Sequence, residues 1–183
     1  MSGYDDFLQT LRRFRSLSVL TVSGGAVVPF FAYLAKISPP WPPGIMILTA
    51  IVELLGLIIS FQFYKQKSRR IVEKSMIFVV LSLAFTSVVY LSTFSQFTYQ
   101  APNASTRSIK GFVCRPEVKL AFSQECPDLT PERLADAQYR AELLWTEWSI
   151  TIVRMILTLS WLLCCVLLTI FIGIFIVFQG RRR

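Results

Sequence analysis

The sequence predicts an all-α integral membrane protein: a four-helix transmembrane bundle whose last helix, and with it the third, extends beyond the outer membrane face. Three observations predict it. Of the 183 residues, 54% are hydrophobic, and they gather into runs of about twenty or more, the helix length that crosses a ~30 Å hydrocarbon layer. The basic residues cluster beside the ends of those runs. After Pro131 no further proline occurs, and no glycine before Gly173. That stretch reads as one continuous helix from Pro131 to Phe178, amphipathic and charged as far as Trp148 and apolar beyond it.

The spans fall at 17–37, 45–64, 72–99 and 149–178. They divide the chain into an amphipathic cytoplasmic segment (1–16), three spans (17–99), an extracytoplasmic loop plus helix (100–148), a fourth span (149–178) and a basic tail (179–183). The formal charge of +8 could suggest nucleic acid, but its distribution points to the bilayer. Arg12, Arg13 and Arg15 precede the first span; Lys65, Lys67, Arg69, Arg70 and Lys74 fill the second link; Arg181, Arg182 and Arg183 follow the fourth span. With four spans all three clusters share one side, and the positive-inside rule makes that side the cytoplasm. Both termini are then cytoplasmic, in a plasma membrane or a bacterial inner membrane. The expected partners are the lipid bilayer and either a second copy or another membrane protein, with no nucleic acid.

Taken in order, residues 1–16 place Phe7, Leu8, Leu11 and Phe14 on one helical face that suits the inner membrane surface. The first span is too long for a cleaved signal and reads as a retained anchor. Gly25 and Pro29 mark a hinge in it, because a proline inside a helix removes a hydrogen bond and clashes with the preceding turn. The link Ser38 to Gly44 carries prolines on both sides of Trp41, so it is extended, and Trp41 suits the membrane interface.

Each later span carries a polar stripe. The second has Thr49, Glu53, Gly56 and Ser60 on one face. Glu53 lies about 14 Å below the outer end by helix rise, where an ionised carboxylate needs a partner. The third has Ser75, Ser82, Thr86, Thr93 and Gln96; the fourth has Thr151, Arg154, Thr158, Cys165 and Thr169. Glu53 and Arg154 are the charges well inside the spans and are expected to form a buried ion pair. Cys164 and Cys165 read as small packing residues.

Pro102, Gly111, Pro116 and Pro127 make 100–130 a loop. Cys114 and Cys126 lie in it on the oxidising side, where they should form a disulfide worth ~3 kcal/mol. Asn103-Ala104-Ser105 fits the glycosylation pattern. Thr130, Pro131 and Glu132 form a helix start. Beyond them Leu134, Ala137, Ala141, Leu144, Trp145 and Trp148 make an apolar stripe that needs a partner.

The chain contains no histidine, which removes the commonest general base and metal ligand. Zinc spacings, phosphate-binding loops and nucleophile elbows are missing too, so no enzyme, cofactor or metal is expected. The expected function is that of a non-catalytic tetraspan protein, self-associating through its polar stripes as a channel, pore or membrane-perturbing effector. The alternative is an accessory or receptor-like subunit that holds a partner through the stapled outer loop. In architecture the chain resembles the general tetraspan plan and the small membrane effectors of bacterial defence operons. It carries neither the Cys-Cys-Gly loop motif of tetraspanins nor the claudin tryptophan and cysteine signature, since Cys164-Cys165 is followed by Val166 within a span.

Overall fold

The structure is a computed structural model, and it describes residues 32, 34–102, 107–122 and 125–180. The expected amphipathic segment 1–16, nearly all of the first span with its Gly25 and Pro29 hinge, Asn103 and the basic tail at 181–183 lie outside the described residues.

Three described helices are long and apolar enough to cross a membrane. They are α1 (Ile45–Lys65), α2 (Arg69–Phe97) and, at the end of the chain, α6 (Glu147–Gly180). Between α2 and α6 lie a two-stranded antiparallel sheet, β1 (Thr98–Tyr99) with β2 (Ser108–Ile109), and three short helices, α3 (Pro116–Ala121), α4 (Pro131–Asp136) and α5 (Ala141–Leu144). The helix α6 has 34 residues and so is about 51 Å long, well beyond a ~30 Å hydrocarbon layer.

The expected continuous helix from Pro131 to Phe178 is corrected: it is three helices, interrupted at 137–140 and 145–146. The first interruption holds Gln138 (φ 52) and Tyr139 (φ 57) in the left-handed region, which side chains with a Cβ rarely adopt. The second holds Trp145 extended, paired in an antiparallel bridge with Cys114. The Arg115 N–H donates to the Leu144 carbonyl (3.0 Å) and the Thr146 N–H to the Val113 carbonyl (2.9 Å). These backbone groups bond across the fold instead of along a helix, and such tertiary bonds override weak local propensity. The segment 100–130, expected as loop, holds β2 and α3. Thr130 and Pro131 do begin a helix, but the Thr130 hydroxyl makes no capping bond.

The chain forms two compact units. Among its described residues the first comprises 32, 34–38, 44–89 and 160–180, and the second comprises 39–43, 90–102, 107–122 and 125–159. In the first unit Phe61 packs with Ile176 and Val177, and Val72 and Val79 pack with Ile174. The opposite faces of its helices are apolar and uncovered: Ile47 and Phe78 are 70% exposed and Phe85 71%. Such faces suit lipid, because large apolar surfaces are costly in water. Gly44 (φ 80) turns the proline-rich link into α1.

The second unit is held by the Cys114–Cys126 disulfide, as expected from the sequence. Trp145, 1% exposed, lies at its centre. Its indole N–H donates to the Pro127 carbonyl (3.2 Å), and its ring lies 6.2 Å from that of Tyr99. A Cβ on Gly111 would come within 2.8 Å of Trp145 Cβ, so only glycine admits this approach. Lys110 pairs with Asp128 and Arg133 with Glu125, while the Arg133 guanidinium lies 4.1 Å from the Phe122 ring centre.

Candidate functional site

In the first unit the expected stripe of α1 is buried: Thr49, Glu53 and Ser60 are each at most 5% exposed. It packs against the small and polar side of α6. Trp161 donates its indole N–H to Thr49 Oγ1 (3.0 Å), while Thr49 itself donates to the Ile45 carbonyl (2.8 Å). A Cβ on Gly56 would stand 2.7 Å from Thr169 Oγ1, and one on Gly173 would overlap the Ser60 side chain. The two glycines thus let α1 and α6 approach closely, as small residues do in membrane helix pairs. Ser60 and Thr169 donate to the carbonyls of Leu57 and Val166 in their own helices. On α2, Thr86 is buried and donates to Ser82 O (2.8 Å); Ser82 and Thr93 are half-buried. Cys164 lies 3.9 Å from the Ser87 hydroxyl. Thr151 is exposed and bonds back to Glu147, and Thr158 donates to the Trp41 carbonyl within the second unit. Most of these hydroxyls are thus satisfied by backbone carbonyls, which is their ordinary use inside a bilayer.

Glu53 is the exception. It faces the Cys165 thiol, and its Oε1 is buried without a hydrogen-bond partner. The expected ion pair with Arg154 would join residues of two different units and stays an expectation; the ion pairs seen among the described residues include neither side chain.

Arg154 belongs to a second site that sequence reasoning missed. The second unit carries an open cavity of about 420 Å³ whose charged lining is Arg107, Arg140, Arg154 and Glu142. Its aromatic lining is Trp41 and Tyr139. Three arginines and one glutamate therefore line the same cavity. The elements that bring them together are local: β2 follows Arg107, the left-handed turn presents Tyr139 and Arg140, and α6 supplies Arg154. Tyr99 fixes the turn by donating its hydroxyl to the Tyr139 carbonyl (2.9 Å). Burial raises the Tyr99 phenol above its ordinary range, with the hydrogen bond from Ser108 opposing. Arg107 reaches Thr98 Oγ1 (3.3 Å) and lies 5.0 Å over the Phe94 ring, yet its Nε is buried without a partner. In the sequence the three arginines are far apart and sit in no motif, so only the fold reveals the cluster.

No group of His, Cys, Asp or Glu that could hold a metal ion occurs among the described residues. Compared with known proteins, the chain matches no family model, no curated protein and no solved structure.

Proposed function

We infer that this chain is a non-catalytic membrane protein of accessory or receptor-like type, which engages a partner through its disulfide-held second unit on the extracytoplasmic side. The observation that carries this reading is where the polar faces go. The α1 stripe packs against α6 and the buried hydroxyls bond backbone, so they supply the glue of a helix bundle and leave little to line a pore or a subunit interface. The segment between α2 and α6 is ordered by the disulfide and by Trp145, and it displays Leu120 (88% exposed) and Leu143 (50% exposed) beside charged side chains. The placement outside the membrane rests on Lys65, Lys67, Arg69, Arg70 and Lys74 around the α1–α2 turn, which the positive-inside rule assigns to the cytoplasm. On this topology 1–16 and 179–183 are cytoplasmic, a fourth span lies at 17–37, and the excess length of α6 stands outside with 100–148.

The test is in-cell photo-crosslinking from positions 120 and 143 together with reconstitution. Heterotypic adducts that disappear in Cys114→Ser are expected, with purified protein monomeric and silent in liposomes. Adducts only between copies, together with conductance or dye release that survives deletion of 104–126, would replace this reading by the self-associating channel.

A further inference from the structure

We propose that the cavity lined by Arg107, Arg140 and Arg154 is a binding site for a phosphate group at the membrane boundary. The proposal does not depend on the second unit also holding a protein partner.

Charge is the first argument. Three arginines and a single acidic residue, Glu142, line the cavity, and none of the three arginines forms an ion pair with Glu142. Among the described residues Arg140 and Arg154 have no acidic partner at all, whereas Arg69 and Arg115 each have one and Arg133 has two. Clustered like charges repel each other across a shared, partly enclosed space, and an anion between them removes that repulsion.

Unsatisfied hydrogen bonding is the second. Arg107 is anchored through Nη1 to Thr98 and stacked over Phe94, which orients its guanidinium, while Nε is buried without an acceptor. A planar guanidinium presents paired N–H groups that match two oxygens of a tetrahedral oxyanion, so three of them suit phosphate better than a single carboxylate.

Position is the third. Arg154 lies on α6 about 10 Å past Glu147 by helix rise, within a helix apolar enough to span a bilayer. A charge at that depth is retained where it reaches an interfacial anion. Trp41 and Tyr139 on the same cavity are residue types enriched where headgroups lie. A volume of about 420 Å³ accommodates phosphate with part of a headgroup.

Two sources supply this chemistry, a phospholipid headgroup and free phosphate, and the experiment separates them. The full chain is purified in detergent, and native mass spectrometry reads the lipid it retains after exposure to phosphatidylglycerol or phosphatidylcholine vesicles. Tryptophan fluorescence is followed in parallel during titration with inorganic phosphate, with chloride as control. The variants are Arg140→Glu, an exposed position whose change spares the core, and Arg154→Gln; Lys74→Gln is the remote control. A lipid headgroup site predicts retention of phospholipid by the parent and the Lys74 variant, reduced at least tenfold in both arginine variants. A free-phosphate site predicts a saturable fluorescence change with the same dependence. Equal lipid retention and equal phosphate response in parent and both arginine variants, with the disulfide intact, would overturn the proposal.

Discussion

Gly56 and Gly173 show how single residues set the packing of α1 against α6. A side chain at either would have to displace Thr169 or Ser60, and overpacking of this kind costs roughly 1–3 kcal/mol. Gly56→Leu is therefore expected to lower the thermal unfolding midpoint in detergent, whereas Ile47→Leu on the uncovered face should leave it unchanged. Trp161→Phe removes the N–H that Thr49 accepts, a loss of about 1 kcal/mol by the usual worth of such a bond. At this scale the sequence was half legible. A helical spacing is enough to put Thr49, Glu53, Gly56 and Ser60 on one face. Their partners on α6 could not be read, because facing residues come from a segment more than a hundred positions away.

Among elements, the break between α4 and α6 carries the most structure. Trp145→Ala removes a large side chain at the centre of the second unit and is expected to cost about 3–5 kcal/mol of its stability. Hydrogen exchange over 98–146 checks this, with protection lost there and retained in α1. Cys114→Ser should lower the stability of the same unit by ~3 kcal/mol, since the bond closes a short loop. The Tyr99 phenol adds a pH dependence. Its folded value lies above the ordinary 10.0, so the stabilisation is complete below that pH and is lost as pH rises towards the raised folded value. Alkaline unfolding of the second unit should therefore be shallower in Tyr99→Phe, which cannot ionise. The helix start at Pro131 was legible because proline suits the first helical position by its own backbone geometry, even though the Thr130 hydroxyl makes no capping bond. The interruption at Gln138 and Tyr139 has no glycine or proline to announce it, and it is fixed by the hydrogen bond from Tyr99.

At the scale of the whole molecule, three helices are long and apolar enough to cross a membrane, and basic residues gather at the α1–α2 turn, which is consistent with a membrane protein. The topology is checked by cysteine labelling in intact cells. Lys67→Cys is expected to stay unlabelled by an impermeant reagent, while Leu120→Cys reacts; the reverse pattern would invert the orientation. The sequence by itself determined where three long apolar helices lie, that basic residues gather at the turn between the first two, and which cysteines pair, because those properties depend on local hydropathy, charge and spacing. Only the tertiary structure decided that the Pro131 to Phe178 rod is three helices, that the α1 stripe turns towards α6, and that Arg107, Arg140 and Arg154 line one cavity. The physical reason is that backbone and side-chain groups take their best partners wherever the fold brings them. The bonds from Thr146 to Val113, from Tyr99 to Tyr139 and from Trp161 to Thr49 join distant residues that no local pattern links.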